Sequence, residues 1–268
     1  KEVIEFEYSS KRSGLTRVQC ATIRQKAGDR EVESELCNGI DQSYFHRAFR
    51  GSLWDKARVA LKSPYALVSR NGIMEVEILA RRRPGMFGEG DPAFYDIAEN
   101  MVFRIDDESR QSLGARDLSE KGYLNTFNHV KGQAFITSID SEELADFIAD
   151  VHERFAMPEL ITGVFTDEQL ADLETGPLDN YLDIINNEWG QELGKELRER
   201  YGITRDTYWT PELLADCLND IQAYHSWVFG IGFEPFRTSD DIIIRFAAKL
   251  NAVLTDFEAL TSGYYKPQ

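Results

Sequence analysis

A chain of 268 residues with 42% hydrophobic and 28% charged side chains carries enough apolar content to bury a sizeable core, as one large domain or two unequal ones. Its formal net charge of −16 repels phosphate backbones, and no Lys/Arg block overrides that charge locally, so nucleic acid and anionic lipid are not expected partners. No stretch approaches the roughly 18 consecutive apolar residues of a spanning helix, so no transmembrane segment is expected and the chain reads as soluble. It opens on Lys1 rather than Met, which leaves open a targeting segment removed upstream.

The first hundred residues read mainly as strands. "VIEFEY" at 3–8 is short and β-prone. "RVQCATIRQKAGDREVESELC" at 17–37 suits a hairpin turning at Gly28 and Asp29. That register sets Ala27 opposite Arg30, Lys26 opposite Glu31, Arg24 opposite Glu33 and Cys20 opposite Cys37, and its two opposite-charge pairs support it. Opposed cysteines lie within disulfide reach, so a Cys20–Cys37 bridge and an extracytoplasmic location are expected; the alternative is two reduced thiols that are merely close. The next segment, 43–61, reads as a helix holding His46 among aromatics, where a lone histidine is more readily packing than catalysis. At 66–80, Asn71 and Gly72 between apolar runs, with Met74, Val76, Ile78 and Ala80 alternating, predict a second hairpin.

"RRRPGMFGEGDP" at 81–92 is a Gly/Pro-rich loop, and the polar run 106–122 is a second connection. From there the pattern becomes helical, with helices expected at 123–138, 141–156, 178–200, 211–229 and 239–262. Asp140 with Glu143 imitates a capping box, and Thr210 before Pro211 is a good helix start. Cys217 reads as a small buried hydrophobe. The fold class is therefore α+β: a β-rich region, 1–115, with hairpins, packed on a predominantly helical domain, 116–268, that carries the candidate site.

In the first of these helices Asn125, His129 and Gln133 are spaced by four and make one polar stripe. Gly132, one turn from His129, suggests that a backbone or ligand comes close. In the second, Leu144, Phe147, Ile148, Val151 and Phe155 form the apolar face, so amphipathicity favours His152 as the inward group. Asp150 and Glu153 reach a shared site only if another helix covers their side. In the third, Leu182, Ile185, Trp189, Leu193 and Leu197 make the apolar stripe. Asp183, Asn186, Asn187, Gly190 and Gly194 run beside it, the glycines forming a groove for close helix packing.

The order NxFxH at 125–129 (with Ala134 and Thr137 after it), DxHE at 150–153 and DxxNNxxG at 183–190 resembles a bacterial helical domain family of unknown function. That family occurs in secreted proteins and at the ends of toxin-like proteins. The likeness covers about 70 residues, 123–194, with Asn128 standing where the family pattern has Arg. It implies that His129, Asp150, His152, Glu153, Asp183, Asn186 and Asn187 belong together, and it supplies no reaction.

Two histidines with carboxylates and amides suit general acid/base chemistry: His129 as base oriented by Asp183, with Asn186 or Asn187 steadying an oxyanion and His152 and Glu153 beside them. The same groups could instead hold a divalent metal ion through His129, His152, Asp150 and Asp183, although HExxH and CxxC are absent. No GxSxG elbow, P-loop or GxGxxG appears, which disfavours serine hydrolysis and nucleotide chemistry. The leading expectation is a bacterial extracytoplasmic hydrolase-like protein whose site lies between the first three helices of the 116–268 domain. The rival is a non-catalytic module in which these polar residues form a structural network and the chain meets a small-molecule, envelope or protein partner. In the aromatic run 209–233, His225 beside Trp227 reads as core, or as the lining of a ligand pocket.

Overall fold

The computed structural model describes residues 3–13, 16–44 and 51–262, and shows an α+β protein. Its sheet has three antiparallel strands in the order β1 (Val3–Ser13), β2 (Thr16–Ala27) and β3 (Arg30–Cys37). The expected register is present, with Cys20 opposite Cys37, Arg24 opposite Glu33 and Lys26 opposite Glu31. Gly28 supplies the left-handed φ of +67° that the turn requires. Cys20 and Cys37 form a disulfide, and Arg24–Glu33 and Lys26–Glu31 are ion pairs. Along β3 the pleat buries Val32, Ser34 and Leu36 and exposes the glutamates between them.

Helices follow: α1 (Leu53–Lys62), α2 (Pro64–Val68), α3 (Arg70–Ala80), α4 (Pro84–Phe87), α5 (Phe94–Phe103), α6 (Asp107–Ser112), α7 (Tyr123–Ile139) and α8 (Glu142–Ala156). A 3₁₀ turn (Pro158–Ile161) then leads to α9 (Asp167–Ala171), α10 (Pro177–Tyr201), α11 (Pro211–Phe229) and α12 (Asp241–Ser262). Thr210 caps α11, its side chain accepting from the Leu213 N–H at 3.1 Å, with Pro211 in the first turn. Asp140, expected to open α8, instead closes α7, and α8 begins at Glu142.

One expected element changes type. Residues 70–80 are helical, and Gly72 is not among the glycines with positive φ, so the Asn71–Gly72 hairpin is replaced by α3. The buried positions Met74, Glu75, Ile78 and Leu79 pair by fours, a helical face that coexists with the period-two pattern in so short a run. Tertiary contact then decides. Arg205 donates to both Glu75 oxygens at 2.6 and 2.8 Å and also to Asp140 at 2.7 Å, which anchors α3. In the expected helix at 43–61, the described Leu53–Lys62 is helical, and His46 lies outside the described residues.

The chain divides into two compact units: Lys1–Ile73 with Glu143–Gln191, and Met74–Glu142 with Glu192–Gln268. In the first, the sheet buries Ile23 and Leu36 in a core that includes Leu144, Leu160, Ile185 and Trp189. Trp189 donates its indole N–H to Gln25 at 2.6 Å, and the Tyr8 and Tyr181 hydroxyls are 2.6 Å apart. In the second unit α7 is the central helix, buried from Val130 through Ile139. Phe135 stands among Phe94, Trp209 and Phe246. Gly194 permits the predicted close packing: a Cβ there would sit 2.6 Å from the Ala134 carbonyl oxygen and 2.7 Å from the Thr137 Cβ. Gly132 does not repeat the effect, because a Cβ there would meet only the Phe94 ring, at 3.9 Å.

Candidate acid–base site

Within the first unit, α8 and α10 bring carboxyl groups together. Glu153 and Asp150 come from α8, and Asp183 and Asn187 from α10. Glu153 is only 2% exposed and His152 is exposed, the reverse of the orientation that amphipathicity predicts. The reason is the covering helix. Leu144, Ala145, Ala149, Val151 and Glu153 are the buried residues of α8, whereas Phe155, assigned to the apolar face by the sequence, is 55% exposed. His152 turns outward, its Nδ1 3.2 Å from the Gln42 side-chain oxygen.

Burial pushes the Glu153 carboxyl well above its usual range, and the charges of Asp183 and Asp150 push it further. A hydrogen bond with the Asn187 side chain opposes the shift without cancelling it. The Oε1 atom of Glu153 is buried and has no hydrogen-bond partner among the described residues. Burial and the neighbouring acidic charges thus both favour the neutral form of this carboxyl.

Asp150 is pushed up to about 7, chiefly by burial, although Arg154 one turn along donates to it at 2.8 Å. Arg154 also donates to the backbone oxygens of Ile40 at 2.8 Å and Cys37 at 2.9 Å, which ties α8 to the chain leaving β3. Gly39 lies against it; a Cβ there would be 3.2 Å from the guanidinium carbon. Sequence reading missed Arg154, whose only sign was its i,i+4 spacing from Asp150.

The other expected site residues fall as follows. Asn186 is half-buried on α10. His129 is half-buried on α7 and belongs to the second unit, with Asn125 and the buried Gln133 on the same helix. Among the described residues, one group of three His, Cys, Asp or Glu side chains has ligand atoms within 4.8 Å of one another: Cys20, Glu35 and Cys37. Its sulfurs are joined in the disulfide, so it offers no thiolate to a metal. Within the first unit, His152, Asp150 and Asp183 are not gathered at that spacing.

His225 is fully buried in the second unit, its ring 4.3 Å from that of Phe127, and neither nitrogen has a hydrogen-bond partner among the described residues. Burial pushes it down to about 3, so it is a neutral core residue. Cys217 is likewise buried, its thiol pushed up to about 12 by burial. No described helix is long and apolar enough to cross a membrane. Comparison of the chain with family models, with curated proteins and with solved structures finds no match.

Proposed function

We propose that the chain is a bacterial extracytoplasmic protein with hydrolase-like acid–base chemistry centred on Glu153 and Asp183. The observation that carries this reading is the buried Glu153 carboxyl, whose protonated form is favoured by burial and by its acidic neighbours and whose Oε1 has no partner among the described residues. A carboxylic acid that keeps its proton near neutrality can donate it, and a neighbouring carboxylate can receive one, which is the division of labour of general acid and base. Asn187 orients Glu153 through their hydrogen bond, and the half-buried Asp183 and Asn186 stand nearer to solvent. The Cys20–Cys37 disulfide supports an oxidising compartment. The DxHE and DxxNNxxG segments, which carry the family resemblance, contribute all four of these site residues.

A second reading has its own support. Glu153 is only 2% exposed, and Arg154 bonds two backbone carbonyls as well as Asp150, as a structural network joining α8 to the strand end would. The two readings separate in one experiment: hydrolysis of chromogenic ester, amide and glycoside substrates by the wild type, Glu153→Gln and Asp183→Asn. Acid–base catalysis predicts hydrolysis of one class that falls by about 10²-fold or more in both variants while their circular dichroism is retained. No hydrolysis by the wild type, or hydrolysis unchanged in both variants, favours the network.

A further inference from the structure

The second unit contains a polar cavity of about 620 Å³ between the loop before α5, the start of α5 and the start of α12. Three arginines line it, each held by a carboxylate in the first turn of one of these two helices or just before it. Arg82 is paired with Asp96, Arg104 donates to Asp240 at 2.7 Å, and Arg245 donates to Asp241 at 2.9 Å. The carboxylates fix the arginines without using all their donors. Among the described residues Nη1 of Arg82 and Nη2 of Arg245 meet no hydrogen-bond acceptor, and Nε of Arg104 is buried without a partner. At Gly90 the backbone is left-handed, with φ +79°, and a Cβ would lie 2.2 Å from Nη1 of Arg245, so glycine is what lets that guanidinium lie there. The same Nη1 donates to the Glu89 backbone oxygen at 3.0 Å.

The acidic side of the cavity is also partly unused. Asp91 is paired with the buried Lys249, 2.9 Å away, whereas the exposed Glu89 carboxylate has neither ion pair nor hydrogen bond among the described residues. Five carboxylates line the cavity against three arginines, which disfavours a multiply charged anion such as a phosphate ester. A simple cation would meet three guanidinium groups. A ligand carrying one carboxylate and one ammonium satisfies both sets. The volume falls in the range that encloses small organic ligands, and a peptide of about three residues fills it better than a single amino acid does. Pro84, Pro92 and Ile242 supply apolar wall for its side chains.

We propose that this cavity binds short peptides with free termini, the terminal carboxylate on Arg82 and Arg245 and the amino terminus on Glu89. Guanidinium forks match carboxylates in geometry and charge, and charge-assisted bonds of this kind are the strong ones. The assignment is independent of the acid–base chemistry at Glu153.

Isothermal titration of the wild-type chain with trialanine, with N-acetyl-trialanine amide and with sodium phosphate tests it. The expected result is one-to-one binding of trialanine, at least about 10-fold weaker binding of the blocked peptide, and no tighter binding of phosphate. Arg245→Gln and Glu89→Gln, at exposed side chains, should each weaken trialanine by about 10-fold with unchanged circular dichroism. Absence of trialanine binding up to its solubility limit, equal affinity for the two peptides, or preferential phosphate binding would each overturn the assignment. The comparison of free with blocked peptide needs no variant, so it stands even if a substitution disturbs folding.

Discussion

Glycine-to-alanine substitution should have opposite signs at Gly194 and Gly132, although both lie inside long helices. Alanine in a helix interior is worth about 0.5–1 kcal/mol over glycine, because glycine loses more backbone freedom on folding. At Gly132 nothing opposes that gain, since the new methyl would find only the Phe94 ring at 3.9 Å, an ordinary contact. At Gly194 it would stand 2.6 Å from the Ala134 carbonyl oxygen and 3.1 Å from the Ala134 Cα, and backbone cannot swing aside as a side chain does. Overpacking of a filled interior costs about 1–3 kcal/mol, and contact with rigid backbone belongs in the upper part of that range. The net expectation is a loss of about 1–2 kcal/mol for Gly194→Ala and a gain of about 0.5–1 kcal/mol for Gly132→Ala. Near the melting temperature each kcal/mol corresponds to about 2–4 °C in a chain of this size. Urea and thermal denaturation followed by circular dichroism read both variants. A Gly194→Ala protein as stable as wild type, or a Gly132→Ala protein clearly less stable, would refute the packing argument.

The raised Glu153 carboxyl makes stability depend on pH in a definite direction. The folded state keeps that proton above the ordinary value of 4.5 while the unfolded chain releases it, so this group's contribution falls as pH rises from 4.5 toward the raised value. Glu153→Gln should flatten that slope and be the more stable protein at neutral pH, as denaturation across a pH series will show; an unchanged slope refutes it. Removing the disulfide by Cys20→Ser with Cys37→Ser should cost about 3 kcal/mol, the loop-closure value for a separation of 17 residues, and reductant should destabilise the wild type but not the variant. Arg154→Met should cost about 3 kcal/mol by stranding Asp150 and two backbone carbonyls, and Asp150→Asn in the same chain should recover part of it. If the double variant is no more stable than Arg154→Met alone, Asp150 is not the group that suffers.

The features legible in the chain were those set by neighbours in sequence. Gly28 at the turn, the Arg24–Glu33 and Lys26–Glu31 pairs and the opposed cysteines specify a register by local geometry and charge, and the structure has that register. Thr210 before Pro211 marks a helix start because the cap hydrogen bond spans three residues. The small residue at 194 signalled close packing, and the acidic and amide positions on α10 signalled a polar cluster.

What local pattern could not decide was which side of an element another element covers. Amphipathicity turned His152 inward and Glu153 outward, yet α10 lies over Glu153, and burial beside acidic neighbours is what perturbs it. The segment 70–80 carries both a strand period and a helix period, and Arg205, 130 residues away, selects the helix by holding Glu75. Arg82 reads as part of a Gly/Pro-rich loop and Arg245 as part of a distant helix, because nothing in the order of residues states that Arg82, Arg104 and Arg245 line one space. The sequence by itself determined the hairpin register, the cysteine pairing and the helices from 123 onward, since these rest on a tight turn, on the strand pairing it sets across at most 17 residues, and on helical periodicity. Only the tertiary structure decided which carboxyl is buried and which arginines converge, because desolvation and charge coupling depend on distances between segments remote in the chain.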